Sequence, residues 1–174
     1  MNSDIVQQTL DPVQRVKAWL ASYWRKDAGS SVDKMLQDRT DAEYQLTNPD
    51  WKVRCTALSI LQLHWGAGTD ANFGARCEDL GLHDLHPQVR SCALIQLGTC
   101  FENTNDLRIG KLLAQVVLDE TQPDQPRRGA YLGLYYLRGR SFEWAGARAD
   151  PPSILRTYKK SEVKIFSTGT PKFC

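Results

Sequence analysis

The sequence predicts an all-α fold, an α-α superhelix of about three helical hairpins, and three observations carry that reading. The first is an internal repeat. Val53-Arg54-Cys55-Thr56-Ala57-Leu58-Ser59-Ile60-Leu61 aligns with Val89-Arg90-Ser91-Cys92-Ala93-Leu94-Ile95-Gln96-Leu97 at a shift of 36 positions, with Val, Arg, Ala, Leu and Leu identical, and fixed spacing between similar segments marks stacked supersecondary units. The second is periodicity: Val89, Ala93, Leu97 and Cys100 recur at the spacing of one helical face, as do Val53, Ala57 and Leu61. The third is the punctuation between these segments, where Pro, Gly, Asn and Asp gather.

Taken in order, the chain opens with a helix over 11–25, anchored by Trp19 and Trp24, and continues into helix pairs at 33–46 with 50–64, 70–83 with 87–101, and 106–120 with 125–138. Asn48-Pro49-Asp50 and His86-Pro87 precede the two clearest repeat copies. Proline in a first helical turn loses no hydrogen bond, and Asp or Asn caps the exposed N–H groups. Gly66-Ala67-Gly68-Thr69-Asp70 closes one unit with a left-handed glycine and opens the next with a cap. Asn103-Thr104-Asn105-Asp106 and Gln122-Pro123-Asp124-Gln125-Pro126 play equivalent parts.

The first halves of the repeat align as well, Asp70, Phe73, Gly74, Leu80 and Leu82 matching Asp106, Ile109, Gly110, Val116 and Leu118. A third, weaker second half follows, with Arg127, Ala130 and Leu134 in register but Pro126 in place of the valine. After Arg140 the pattern fails. Pro151-Pro152 breaks the segment, Ser153 to Lys160 suits a short helix, and the alternation of Glu162-Val163-Lys164-Ile165-Phe166 suits a short strand or an extended cap. Since terminal repeats must hide an apolar face, the expected organisation is one domain, 1–174, with a capping helix at 11–25, repeats over 33–138 and an irregular C-terminal cap over 139–174.

Composition sets the outer limits. A chain of 174 residues with 41% hydrophobic and 24% charged residues is ordinary globular material, long enough to bury roughly 70% of its unfolded surface without a metal or a disulfide. The formal net charge of +2 is too small to imply nucleic acid or an anionic membrane, although the last third, with Arg127, Arg128, Arg138, Arg140, Arg148, Arg156, Lys159, Lys160, Lys164 and Lys172, is basic. Five cysteines without a C-x-x-C pair suit a reducing compartment. No basic start with an apolar run follows Met1, and no window approaches the roughly 18 apolar residues of a membrane span, so a cytoplasmic, non-membrane protein is expected.

Asn48-Pro49-Asp50-Trp51-Lys52-Val53-Arg54 with Ala57-Leu58, and His86-Pro87-Gln88-Val89-Arg90 with Ala93-Leu94, resemble the second helix of HEAT repeats, especially their short bacterial form. The resemblance covers residues 33 to 138. It implies a curved stack of antiparallel helices and structural roles for Arg54, paired with Asp50, and for Arg90. Repeat two departs from the pattern by placing His86 where repeat one has Asp50, so Arg90 needs another partner, and repeat three lacks the valine, so its packing is expected to differ. Fold alone does not fix activity. Similar stacks bind or repair DNA, and similar short repeats occur in proteins resembling bilin-chromophore lyase subunits, though no residue here points to a bilin.

Catalysis has no visible home. His83-Asp84-Leu85-His86, with Cys77, Glu78 and Asp79 nearby, collects metal-ligand types but matches no tetrahedral spacing, and capping and turn roles account for it. Only His64, His83 and His86 could serve a Cys or Ser nucleophile, and Cys55 and Cys92 sit beside core positions. No cofactor or metal is expected. Gly129, Gly133 and Gly139 fit close helix approach. Arg127, Arg128, Tyr131, Tyr135, Tyr136, Arg138, Arg140, Phe142, Trp144 and Arg148 form a cluster of the residue types that dominate binding hot spots.

On a helix from 125, Arg128, Tyr131 and Tyr135 share a face distinct from the line Ala130, Leu134 and Leu137. Two readings stand: the aromatics form an interface, or they pack beneath the C-terminal tail. The function expected is a non-catalytic protein- or peptide-binding scaffold or adaptor using Arg128, Tyr131, Tyr135, Arg138 and Trp144. Nucleic-acid binding is the alternative, since Arg and aromatic groups also grip phosphates and stack on bases.

Overall fold

The structure, a computed structural model, describes residues 29–139, and among them are seven α-helices and no strand. The helices are α1 (Gly29–Gln37), α2 (Arg39–Tyr44), α3 (Trp51–Leu63), α4 (Ala71–His83), α5 (Pro87–Cys100), α6 (Leu107–Leu118) and α7 (Asp124–Leu137), with short 3-10 turns at Gln45–Thr47 and Ala67–Thr69. The all-α class is therefore as expected. The helix expected over 11–25 and the tail beyond Gly139 lie outside the described residues.

Helix starts follow the cap chemistry. Asp50, Asp70 and His86 each sit in extended backbone and accept the N–H two residues on, from Lys52, Asn72 and Gln88, and Asp106 accepts from Ile109. One such residue corrects a boundary. The helix expected over 33–46 is two helices, because Asp38 adopts extended backbone (φ −136°) and accepts the Thr40 N–H at 2.8 Å. An Asp inside a helical run offers the backbone this local alternative to the helical ladder.

The chain divides at Ala67/Gly68 into two compact units. In the first, α1 and α2 both pack on α3, and α3 is buried at every position from Cys55 to Leu61. A helix buried all round is a core element. Met35, Leu58, Ile60 and Leu61 are wholly inaccessible, and burying each such side chain contributes about 1.5–3 kcal/mol. Beyond the end of α3, His64 and Trp65 meet edge to face with ring centroids 4.8 Å apart. His64 Nε2 lies 3.0 Å from the Leu36 carbonyl and Trp65 Nε1 donates to the Met35 carbonyl at 2.9 Å. These two rings thus satisfy carbonyls in the last turn of α1 that have no partner within that helix.

In the second unit α4 and α5 form one hairpin and α6 and α7 another, and the tightest association is between the second helices, α5 and α7. Ser91 meets Gly129, while Leu94 and Gly98 meet Gly133, so the two helices run parallel with their backbones touching. A Cβ on Gly98 would fall 2.3 Å from the Gly133 Cα, and one on Gly133 would fall 2.5 Å from the Leu94 carbonyl oxygen. Only glycine permits this approach. Leu94 and Leu113 border the contact and, like Leu97, Val117 and Leu137, are wholly buried.

The segment after α5 closes the far end of α7. Asn103 and Asn105 stand in left-handed backbone (φ 59° and 53°), a conformation asparagine tolerates better than most residues. Their N–H groups donate to the Tyr136 and Leu137 carbonyls, each at 3.2 Å. Gly139 (φ 66°) ends the helix against the Asn103 side chain.

Candidate functional site

Helix α7 has no side-chain cap at Pro123 and begins Asp124-Gln125-Pro126. Its core line is as the periodicity predicts: Ala130, Leu134 and Leu137 are buried, and Gly129 and Gly133 lie in the contact with α5. Arg128, Tyr131, Tyr135 and Arg138 recur along a different line, at i, i+3, i+7 and i+10, and all four are half-buried. The Tyr131 and Tyr135 rings are neighbours, 6.0 Å between centroids and tilted by 59°, within the range where aromatic pairs attract. Tyr136, also half-buried, has its phenol pushed up by burial and then by the charge of Glu102. Trp144 and the remaining aromatic and arginine positions of the cluster, Arg140, Phe142 and Arg148, lie outside the described residues.

Arg127 leaves this group. Its Nε donates to the Val117 carbonyl at 3.1 Å and its Nη1 lies 3.8 Å from the Asp124 carboxylate. It binds the end of α6 to the start of α7, and so resembles the other repeat arginines rather than its neighbours. Arg54 Nη1 donates to the Asn48 carbonyl at 2.7 Å and to the Pro49 carbonyl at 3.1 Å, and Arg90 Nη1 donates to the Asp84 carbonyl at 3.1 Å. Asn48 and Asp84 are 36 positions apart, as Arg54 and Arg90 are. The repeat is thus preserved in hydrogen bonding: in both copies the guanidinium reaches back six residues to brace the turn that opens its own helix. The Asp50 carboxylate accepts the Lys52 N–H as the cap of the same helix.

The polar residues of the His83–His86 turn bond to near neighbours in the chain. His83 Nδ1 lies 3.1 Å from the exposed Asp79 carboxylate, Asp84 accepts the His86 N–H at 2.8 Å, and His86 Nδ1 accepts the Gln88 N–H at 3.2 Å. Leu85 between them is 96% exposed. Among the described residues no three His, Cys, Asp or Glu side chains gather as a metal site would require.

Cys55 is buried, and Cys92 is half-buried with the Gln88 amide 3.8 Å from its sulfur. The arrangement that sequence reasoning missed joins two other cysteines. Cys77 of α4 and Cys100 at the end of α5 lie near enough for each thiol to shift the titration of the other. Periodicity placed Cys100 on a core line, but the partner could be found only from the register of the hairpin.

Comparison with protein-family models, with curated proteins and with solved structures returns no match for this chain. The described helices contain none long and apolar enough to cross a membrane.

Proposed function

We propose that this protein is a non-catalytic scaffold of stacked, HEAT-like helical hairpins that binds an acidic peptide segment along the Arg128, Tyr131, Tyr135 and Arg138 face of α7. The single observation that carries the reading is the placement of two guanidinium and two phenol groups, all partly accessible, on one line of a helix whose opposite side is held backbone to backbone against α5. Tyr rings bury a large area at a small cost in freedom, and Arg adds charge-assisted, bidentate contacts to carboxylates, which is what makes such residues effective anchors. The basic balance of the last third of the chain favours an acidic partner over a neutral one.

The test is selection from a random peptide library by the whole protein, followed by fluorescence anisotropy of the selected peptides with wild type, Arg128→Glu and Leu85→Ala. Acidic peptides whose affinity falls at least about tenfold in Arg128→Glu, a loss of about 1.4 kcal/mol, and is unchanged in Leu85→Ala support the reading. Peptides without acidic enrichment, or binding lost only in Leu85→Ala, overturn it. Binding of labelled single- or double-stranded DNA that falls steeply with salt and is lost in Arg128→Glu would replace it with a nucleic-acid function.

A further inference from the structure

We infer that Cys77 and Cys100 are a redox-active thiol pair, in which a hydroperoxide oxidises Cys100 and Cys77 resolves the product to a disulfide that cross-links α4 to α5. The pairing follows from the register of the hairpin. A Cβ on Gly74 would meet the Phe101 ring at 3.7 Å, and one on Gly81 would stand 3.6 Å from the Leu94 backbone nitrogen. Both contacts belong to one antiparallel register, and Cys77, one turn from each glycine, falls opposite the last turn of α5, where Cys100 ends the helix. Each thiol also shifts the titration of the other, as groups in one small neighbourhood do.

The two thiols are not equivalent, and the difference assigns their roles. Cys77 is wholly inaccessible and Cys100 half-buried, so an oxidant reaches Cys100 first. The neighbouring Cys77 thiol holds the Cys100 thiol below its ordinary value, with the Cys100 backbone N–H assisting and burial and Asp70 opposing. Burial, reinforced by Cys100, pushes Cys77 well above its ordinary value. Cys100 is therefore the better thiolate and Cys77 the proton donor beside it. The thiolate is the form that attacks, and accessibility and thiolate character together select the site of oxidation.

The steps balance. The Cys100 thiolate attacks one oxygen of hydrogen peroxide, the O–O bond breaks, and with one proton the products are Cys100 sulfenic acid and water. Cys77 sulfur then attacks the sulfenic sulfur; the S–S bond forms, the S–O bond breaks, and the hydroxyl leaves with the Cys77 proton as a second water. Overall two thiols lose two hydrogens to the peroxide, and an external dithiol returns them by exchange.

The test treats reduced full-length protein with a small excess of hydrogen peroxide, alkylates the remaining thiols and maps the peptides by mass. The expected result is a Cys77–Cys100 linked peptide pair in monomeric protein, two fewer alkylated thiols, and full reversal by dithiothreitol. In Cys77→Ala, Cys100 should stop at the sulfenic acid and take up dimedone at least about tenfold faster than Cys77 does in Cys100→Ala. Peroxide that leaves both thiols alkylatable in folded wild type, or that links Cys55, Cys92 or Cys174 instead, overturns the pairing. Equal dimedone uptake in the two variants overturns the assigned polarity. Because the wild type carries the pairing result by itself, a variant that fails to fold does not protect it.

Discussion

Helices α3 and α5 open alike and are used differently. Both begin after a cap that accepts the N–H two residues on, and both carry an arginine that braces the preceding turn six residues back. Past that point they diverge. Helix α3 is buried through Cys55–Leu61, whereas α5 keeps Ser91, Leu94 and Gly98 for the backbone of α7. Where α3 carries Gln62, α5 carries Gly98, 36 positions on. The shared motif thus specifies how a helix starts, and small residues farther along specify what it can lie against.

The largest test of that difference is the addition of one methyl group at the backbone contact. Gly98→Ala or Gly133→Ala drives a carbon to 2.3–2.5 Å from backbone atoms of the facing helix, and neither helix can yield without moving as a body. A loss of about 3 kcal/mol or more is expected in urea unfolding, at or beyond the upper end for overpacked sites. Gly74→Ala is the control, since its new carbon makes an ordinary 3.7 Å contact with Phe101 and gains about 0.5–1 kcal/mol of helix propensity. If all three behave alike, backbone proximity is not what holds α5 to α7.

The arginine braces give a smaller effect with a built-in asymmetry. Arg54 donates to two carbonyls, whereas Arg90 donates to one and leaves Nε buried with no hydrogen-bond partner. Arg54→Ala should cost about 2 kcal/mol and Arg90→Ala about 1 kcal/mol, following the number of charge-assisted bonds removed. Equal losses in chemical denaturation would mean that the two turns are braced by something other than these bonds.

Two further substitutions act at single bonds. Trp65→Phe keeps most of the ring but removes the donor to the Met35 carbonyl, and should lower stability by about 1 kcal/mol, read as a lower urea midpoint with unchanged slope. His86→Asp converts the second repeat's cap to the type used at Asp50 and Asp70. A carboxylate suits the positive end of a helix better than an imidazole ring, so a gain of about 0.5 kcal/mol is expected, visible as a higher Tm. A loss there would show that the imidazole contributes more than its cap.

Much of this was legible in the sequence. The 36-residue shift located α3 and α5, the Asp, His-Pro and Gly signals located their starts and stops, and the line Ala130, Leu134, Leu137 located the buried side of α7. Two features escaped for physical reasons. The break at Asp38 depends on whether one side chain caps locally or points to solvent, a choice that periodicity does not encode. The juxtaposition of Cys77 with the last turn of α5 depends on hairpin register, which is set by Leu94 and Phe101 fitting against Gly81 and Gly74. Of the proposed binding face, Arg128, Tyr131, Tyr135 and Arg138 were found from residue type and spacing, while Arg127, of the same type, was separated from them only by its bond to Val117.

The contact of α5 with α7 also bears on the order of folding. Each hairpin of the second unit joins residues close in sequence, whereas Ser91 with Gly129 and Gly98 with Gly133 join residues more than 30 positions apart. Local contacts form early and distant ones carry the larger loop-closure cost. The two hairpins are therefore expected to assemble first, with docking of bare glycine backbone as the late step. The Asn103 and Asn105 amides immediately precede α6 and donate to carbonyls at the end of α7, so in pulse-labelled hydrogen exchange they should be protected with closure of the α6–α7 hairpin, before that docking.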